Sequence, residues 1–493
     1  MQTYDVIVVA KGNAALCAAL SARDQGASVV MLEAANEDEH GGNSRFAGGV
    51  MRFAYGSVDE LKEVTDITDE EIATSDFGTN TTDEFFDDLF RLTSFRTDPD
   101  LSETLVTKSR ETMAWLRTKG VRFVLNYGRQ SGLVDGKRKF FGRMPIEVSG
   151  GGAGLVQYLD GAVRKAGIDV FYDTRVTSLI YDGVTVQGVR AQQQGQPVEF
   201  RAKSVVLASG GFEANPEMRT RYLGPGWELA KVRGSRFNQG DGLKMALDIG
   251  AAPYGNWSGC HATGWDRNAP EFGDVSIGDQ FQKHSYIFGL LINAHGKRFV
   301  DEGWDFHSFT YAKYGGEVLK QPAQFAWQVF DSKVSKLLRS EYRIKFMTKV
   351  SANTLEELAT KLEGVDPEQF LKTVREYNAA VRDDVKFDHT IKDGKAAAGI
   401  DPPKSNWAQK LDTPPYDAYS TTCGITFTFG GLRVDRETGQ VMNVHFHPIP
   451  GLYCAGEMVG GLFYFNYPSG TGLVSGAVFG KIAGAGAGLA AKA

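Results

Sequence analysis

The sequence predicts an α/β fold on three observations: a strand–helix–strand pattern in its first 33 residues, glycines gathered in a few runs, and a helical stretch late in the chain. At 493 residues the chain is too long for one compact core, so two or three domains are expected. Its 58 glycines make up about 12% of the residues against a usual ~7%. Because they cluster, they favour backbone that approaches a ligand closely.

The strand–helix–strand pattern predicts a Rossmann-like dinucleotide-binding domain. Residues 5–9 and 28–32 are rich in β-branched and apolar residues, as in buried parallel strands, and a small-residue helix is expected over 16–24. Gly12, in the turn before that helix, lets the backbone approach a pyrophosphate at the helix N-terminus. Glu33 ends the second strand, where it can accept hydrogen bonds from ribose hydroxyls.

Ala10 stands where this type of turn usually has its first glycine, and its methyl group is expected to crowd the turn. One imperfect glycine turn also fits an ordinary α/β fold. However, further glycine-rich segments follow next to predicted strands and helices. They span residues 40–49, 204–212, 240–247, 450–457 and 470–474.

In this order, the segments resemble the fumarate reductase and succinate dehydrogenase flavoprotein superfamily along nearly the whole chain. The resemblance implies bound FAD, with Glu457 holding the ribityl chain and the N–H groups of Gly472 and Leu473 meeting the flavin pyrimidine at a helix start. Asn43 stands where covalent relatives bond a histidine to the flavin, so non-covalent FAD is expected. The cofactor-binding residues implied are Gly12, Asn13, Ala14, Glu33, Gly42, Asn43, Ser44, Gly48, Gly49, Val176, Ala208, Ser209, Gly210, Asp241, Glu457, Gly472 and Leu473.

The same resemblance predicts a discontinuous FAD-binding domain, residues 1–257 and 426–493, with an inserted α+β capping domain at 258–425. Within the insert, the apolar spacing over 354–381 indicates a helix. A charged segment with proline and glycine, 387–404, is expected to be an exposed loop. The small-residue tail after Gly480 is expected to form a packed helix.

Composition excludes several classes of partner. The net charge of −6 and a pI near 5.9 argue against nucleic acid. The four cysteines (Cys17, Cys260, Cys423 and Cys454) lack metal-ligand spacing, so no metal site or disulfide framework is expected. We expect no signal peptide, no apolar stretch of the ~20 residues that a membrane span needs, and a cytoplasmic protein. Because no second nucleotide fingerprint occurs, a separate electron donor or acceptor is expected.

The resemblance implies hydride transfer between flavin N5 and one substrate carbon, while a side chain handles the proton on the neighbouring carbon. Where relatives that act on C4 dicarboxylates have a proton-delivering arginine, a clamping histidine and a clamping arginine, this chain has Phe306, Phe427 and Tyr467. Arginine suits carboxylates because its fork matches their geometry. Only His261 falls on a substrate position of the family, so succinate and fumarate are not expected as substrates.

Residues 461–470 resemble two groups of relatives. The run Phe-Tyr-Phe-Asn-Tyr-Pro at 463–468 and the start Arg-Phe-Val-Asp-Glu-Gly at 298–303 are similar to tricarballylate dehydrogenases. The Tyr-Pro pair also resembles 3-ketosteroid dehydrogenases, in which a tyrosine assists removal of a proton next to a ketone. Three functions stay open: a tricarballylate dehydrogenase-like enzyme that desaturates a Cα–Cβ bond next to a carbonyl or carboxylate, a desaturase of a cyclic ketone or ketocarboxylate, and a flavin-binding subunit without turnover.

Tyr467 is the first catalytic candidate, as a hydrogen-bond donor to a substrate carbonyl or as the acceptor of the α proton. A tyrosine ordinarily has a pKa near 10, so a basic role would require neighbours that lower it. His307, Tyr311 and His261 are the other candidates, and a packing role is the alternative for each. The side chains expected to contact the substrate are Trp304, Phe306, Phe427 and Tyr464.

Overall fold

The structure is a computed structural model, and it describes residues 3–493. Within this range the α-helices α1 to α12 span Asn13–Asp24, Val58–Lys62, Asp69–Thr74, Thr82–Leu92, Pro99–Thr118, Gly151–Lys165, Pro216–Met218, Asp241–Asp248, His307–Leu319, Leu355–Lys361, Pro367–Ala380 and Thr471–Lys492. The strands β1 to β19 span Thr3–Val9, Val29–Leu32, Ser75–Asp76, Phe123–Leu125, Ser131–Val134, Lys137–Phe140, Ile146–Val148, Asp169–Phe171, Thr174–Tyr181, Val186–Gln193, Gln196–Leu207, Lys231–Val232, Pro253–Asp266, Leu290–Ile292, Ala326–Phe330, Lys349–Ala352, Tyr416–Leu432, Gln440–Met442 and Pro448–Cys454.

The first sheet has the order β18-β19-β11-β1-β2-β8, with β10 and β9 continuing from β11. The five strands from β19 to β8 are parallel, and in the centre Val8 pairs with Met31 on one side and Val206 on the other. All three side chains are buried, and helices α1 and α12 pack against these strands. The predicted α/β class is confirmed, and the βαβ unit is formed by β1, α1 and β2.

Helix α12 packs against α1 through small residues. A β-carbon on Gly480 or Gly484 would lie 2.5 Å from the carbonyl oxygen of Ala14 or 2.1 Å from that of Ala18. By length and composition alone, α12 could cross a membrane. The expectation that the chain has no apolar stretch as long as a membrane span is therefore wrong. Most of the helix is buried against the first sheet and α1, as in the core helices of globular domains. The predicted tail helix is therefore the end of α12.

The second sheet has the order β12-β17-β15-β14, and β13 and β16 also pair with β17. Strands β13 and β17 are long and antiparallel, from the pair Pro253 and Leu432 to the pair Asp266 and Thr421. Both predicted domain boundaries, 257/258 and 425/426, fall inside these two strands. The division into a flavin domain and a capping domain stays an interpretation, and the two parts share continuous strands.

Two segments of the insert differ from their predictions. The region 354–381 forms two helices, α10 and α11, rather than one. Segment 387–404 has irregular backbone as expected but is only partly exposed, because Thr390, Ala397 and Lys404 are buried. The Lys404 ammonium donates to the carbonyl of Gly289 at 2.6 Å, which anchors the segment to the core.

Candidate active site

A large cavity lies where the carboxyl ends of the first sheet's parallel strands meet β17 of the second sheet, and its volume, including the part open to solvent, is about 1860 Å³. Ligands of open α/β sheets bind at this edge. All seventeen residues that the family resemblance assigned to the cofactor line the cavity. The fold thus brings together segments from residue 12 to residue 473, while direct contact of each with a cofactor stays a prediction.

Two helix N-termini lie at the cavity wall. Gly12 caps α1 and Gly470 caps α12, and neither glycine supplies a side-chain cap, while the Ser44 hydroxyl accepts from the N–H of Asn13 at 3.0 Å. The Asn13 amide donates to the carbonyl of Leu473 at 2.8 Å and so joins the first turns of the two helices. Uncapped N–H groups carry partial positive charge and bind anions. The site therefore offers one helix end to a pyrophosphate and a second to an electron-rich ring.

The turn between β1 and α1 is strained at Ala10. Its φ is +89°, in the left-handed region where a β-carbon is disfavoured. The turn is held in this shape because the Ala10 N–H donates to the carbonyl of Leu32 at 2.8 Å. The predicted crowding is therefore a backbone strain on the order of 1 kcal/mol.

Glu33 lies at the end of β2 on the cavity wall. Its carboxylate accepts a hydrogen bond from the Ala35 N–H at 2.8 Å, and burial raises its pKa to about 7. Lys11, in the turn before α1, is fully buried and forms an ion pair with Asp160 of α6. A hydroxyl donor from a ribose would favour the ionised form of Glu33, which fits the predicted adenosine end.

At the other end of the cavity two phenols meet. The hydroxyl oxygens of Tyr311 and Tyr467 lie 2.5 Å apart, and the Ser469 hydroxyl donates to that of Tyr311 at 3.3 Å. Burial raises the pKa of both tyrosines, that of Tyr467 well above its ordinary value of 10. The positive charge of Arg233 opposes this shift for both. Arg233 itself is buried in an ion pair with Asp279, at 2.7 Å.

A second buried arginine, Arg339, lines the same end of the cavity. One of its terminal nitrogens lies 2.5 Å from Nε2 of His307, and the other lies 3.4 Å from Nδ1 of His284. Burial, followed by the Arg339 charge, lowers the pKa of both histidines well below 6.5. Both rings are therefore neutral, and Arg339 has no carboxylate within ion-pair distance among residues 3–493.

Arg129 completes a group of three arginines that the sequence analysis missed. Its guanidinium lies 3.8 Å from a carboxylate oxygen of Asp279 and 3.6 Å from one of Glu341. Arg129, Arg233 and Arg339 come from segments without a recognisable motif, and no regular spacing relates them. Only the fold brings them together, so the sequence carried no signal that could have identified them.

His261 does not line the cavity. Its ring lies behind the two tyrosines, with its centroid 4.8 Å from that of Tyr311 and 4.9 Å from that of Tyr467. It is fully buried, and neither ring nitrogen has a hydrogen-bond partner among the described residues. Burial lowers its pKa well below 6.5. His261 is therefore placed to support the tyrosines rather than to contact a substrate.

Of the four side chains expected to contact the substrate, only Phe427 lines the cavity. Phe306 instead packs on Phe141 and Trp407. Trp304 is 43% exposed, with the Lys313 ammonium over its ring, and Tyr464 also lies outside the lining. Aromatic side chains do line this end of the cavity, among them Phe427, Phe463 and Tyr467, and three of the four residues expected to contact the substrate lie elsewhere.

Comparisons with known proteins agree with this geometry. A family model described as FAD binding domain matches residues 5–473. NADH:fumarate oxidoreductase of Klebsiella pneumoniae is 29% identical, over 98% of this chain and 47% of that protein, so the chain spans about half of that relative. The 3-oxosteroid 1-dehydrogenase of Mycolicibacterium smegmatis is 26% identical, over 98% of this chain and 96% of that protein.

A solved structure, the open conformation of a flavocytochrome c3 fumarate reductase, superposes with a TM-score of 0.74 at 26% identity, covering 99% of this chain and 79% of that one. The resemblance to the fumarate reductase superfamily and to ketosteroid dehydrogenases is thereby confirmed, as is the predicted fold. FAD fits the two helix N-termini and the acceptor at Glu33. The chain belongs to the FAD binding domain family, and its cofactor is FAD.

Proposed function

We propose that the protein is an FAD-dependent dehydrogenase that desaturates a Cα–Cβ bond of a polycarboxylate, resembling tricarballylate dehydrogenase. The observation that carries the substrate class is Arg339, a buried guanidinium on the cavity wall that has no carboxylate within ion-pair distance among the described residues. A buried charge without a counter-ion is costly. A substrate carboxylate would supply that counter-ion.

The charges around Arg339 support this proposal. Asp279 forms ion pairs with Arg233 and Arg129, and Glu341 lies within ion-pair distance of Arg129 and also interacts with the charge of Arg339 at longer range, so the two carboxylates balance two of the three arginines. Glu147 is a further carboxyl group that interacts with the charges of Arg129 and Arg339. Burial raises its pKa and so favours its uncharged form, which does not balance an arginine. The loss of the family's carboxylate-clamping residues favoured a less charged substrate, but three arginines from other segments stand at this end of the cavity.

The reaction can be assigned to the groups at this end. FAD supplies the acceptor for the hydride that leaves the β carbon. The α proton goes to the oxygen of the Tyr467 and Tyr311 pair after the pair has lost one of its own protons, and the electrons of the Cα–H bond form the double bond. Because burial raises the pKa of both phenols, this loss must be driven by the charges and donors around them. Arg233 and the Ser469 hydroxyl stabilise that ionised form, the first by charge and the second by its hydrogen bond to Tyr311. Arg339 holds a substrate carboxylate.

The test is a panel of saturated dicarboxylates, tricarboxylates and cyclic ketones mixed anaerobically with the holoprotein. Bleaching of the flavin absorbance by a tricarboxylate, with turnover when a dye acceptor is added, is expected. Bleaching by ketones alone would contradict the polycarboxylate assignment. If no donor bleaches the flavin and no acceptor reoxidises it after chemical reduction, the protein has no turnover of its own.

A second candidate, desaturation of a cyclic ketone or ketocarboxylate, is favoured by the paired phenols. Tyr467 is a strong donor for a carbonyl oxygen whose α proton is leaving. A 3-oxosteroid 1-dehydrogenase is also among the relatives that align over nearly their whole length. A ketocarboxylate would use both the tyrosines and Arg339, and the same panel distinguishes it from a simple ketone.

The proposal includes two further points about the cofactor: FAD is bound non-covalently, and its electrons pass to or come from a separate carrier. It also includes a cytoplasmic location. Asn43 supports the first, because its amide is used in hydrogen bonds to Glu213 and to the carbonyl of Thr426, at 2.5 and 2.6 Å. The single dinucleotide fingerprint of the chain supports the second.

A further inference from the structure

Two glutamates meet beneath the cavity at the ends of neighbouring strands. Glu213 follows the glycine turn after β11, and Glu457 follows the end of β19. Because β11 and β19 are adjacent and parallel, their carboxyl-end turns lie side by side. The two carboxyl groups are in hydrogen-bonding contact. Glu457 lines the cavity, whereas Glu213 is fully buried behind it.

The hydrogen bonds around the pair are unequal. Oε1 of Glu213 accepts from the side-chain amides of Asn43 and Asn238, both at 2.5 Å, while Oε2 has no donor among the described residues. Oε1 of Glu457 accepts from the N–H of Thr428 at 2.6 Å and from its hydroxyl at 2.9 Å. Within residues 3–493, neither carboxyl group has a cation within ion-pair distance.

Two buried carboxylates in contact cannot both be ionised without a cation between them. One of the two groups must therefore hold a proton. Burial identifies which one: Glu213 is fully enclosed by protein, where a charge is most costly, whereas Glu457 borders the cavity and its Oε1 accepts from both donor groups of Thr428. Burial and the Glu457 charge raise the pKa of Glu213 well above its ordinary value. Burial also raises the pKa of Glu457, and the hydrogen bond from Glu213 is the largest influence against that shift.

We propose that Glu213 is a neutral carboxylic acid that donates its proton in a hydrogen bond to Glu457 and so holds the Glu457 carboxylate in place for the ribityl hydroxyls of FAD. Glu213 is then a positioning residue, since it acts through Glu457 and not on the cofactor. The proposal rests on FAD occupying the cavity and is independent of which substrate is oxidised.

The backbone confirms that Glu457 is tightly seated. A β-carbon on Gly211 would lie 2.1 Å from Oε1 of Glu457 and 2.1 Å from the hydroxyl of Thr428. The carboxylate thus lies against the glycine turn on one side and Glu213 on the other. If the Glu213 donor is removed, Glu457 keeps the two groups of Thr428 and the backbone of Gly211 as partners among the described residues.

The test compares Glu213→Gln and Glu213→Leu in FAD binding to the apoprotein, followed by quenching of flavin fluorescence. Gln keeps a neutral donor towards Glu457, so its Kd is expected within about threefold of the parent. Leu keeps the bulk but removes the donor, so about tenfold weaker binding is expected. Thermal unfolding of both apoproteins controls for folding.

Infrared difference spectra provide a second readout that needs neither FAD nor substrate. The carbonyl stretch of a carboxylic acid is expected in the parent apoprotein near neutral pH and should be lost in Glu213→Gln. If no such band is lost, or if Glu213→Gln weakens FAD binding as much as Glu213→Leu, the neutral-acid assignment is wrong. If Glu213→Leu binds FAD like the parent, Glu213 does not position Glu457. Failure of the polycarboxylate panel leaves all three results unchanged.

Discussion

The two ends of the cavity are built in different ways. The nucleotide end uses backbone: helix N-termini at Gly12 and Gly470, and turns in which glycine is needed. The substrate end uses side chains from distant segments, such as Arg129, Arg339 and Tyr467. A substitution at the nucleotide end should therefore change cofactor affinity modestly, whereas one at the substrate end should change the reaction strongly.

The largest effect is expected for Tyr467→Phe, which removes the hydroxyl that meets Tyr311 and keeps the ring. Loss of one positioned polar group at the reacting centre typically costs about 100- to 1000-fold in rate. The variant should keep its FAD absorbance spectrum and lose flavin reduction by that order in stopped-flow experiments with the true substrate. Its packing among Phe427 and Phe463 is unchanged, so a folding defect is not expected.

Tyr464→Phe is the matched control, because Tyr464 lies three residues away in the same loop but outside the cavity lining. Its rate should equal that of the parent. If Tyr467→Phe reduces its flavin as fast as the parent, the phenol pair does not handle the proton, and His307 becomes the next candidate.

Arg339→Gln should have the second-largest effect. Removing one partner of a buried charge pair costs about 2–5 kcal/mol, so kcat/KM for a polycarboxylate should fall on the order of 100-fold. Lys345→Gln removes one positive charge from an exposed site in the same segment and should leave kcat/KM unchanged. If kcat/KM fell equally in both variants, the loss would come from the reduced positive charge of the segment and not from a carboxylate contact at Arg339.

The contrast between the two ends also explains what could be predicted from the sequence. A glycine in a turn indicates the backbone conformation of that turn, because other residues rarely adopt it. The segments around Gly12, Gly42 and Gly210 could therefore be assigned to the cofactor site from the sequence. The sequence around Arg233 and Arg339 does not indicate what their side chains contact, because those contacts depend on how β17 and the irregular segment after β15 pack. No periodicity in the sequence encodes that packing.

The errors at the substrate end have the same cause. The resemblance placed Phe306 at the family's acid position, and in the structure its ring turns towards Phe141 and Trp407. The sequence analysis expected His261 beside the substrate. In the structure it lies behind Tyr311 and Tyr467 and does not line the cavity. Alignment fixes a position along the chain, whereas the direction of a side chain also depends on neighbours that are remote in sequence.

A pH effect is expected at the nucleotide end. The Glu33 pKa is about 7 in the folded chain against an ordinary value of 4.5, so the folded state binds this proton more tightly. The free energy of unfolding of the apoprotein should therefore fall as the pH rises from 4.5 to 7, by up to ~1.4 kcal/mol per pH unit from this group. Glu33→Gln should lose this contribution. Denaturant unfolding of both apoproteins across the window measures the difference, and identical pH profiles would contradict it.

The smallest effect is expected at Ala10. Its φ of +89° is tolerated by alanine at a cost on the order of 1 kcal/mol and by glycine without that cost. Glycine also has more conformational freedom in the unfolded chain, which offsets part of the strain relief in the free energy of unfolding. Ala10→Gly should therefore bind FAD as tightly as the parent or up to about fivefold more tightly, as measured by fluorescence titration of the apoprotein. Ala15→Gly is the control, because Ala15 lies inside α1, where glycine only destabilises the helix. A marked loss of FAD affinity in Ala10→Gly would mean that the methyl group contributes a contact and that the turn is not strained at this residue.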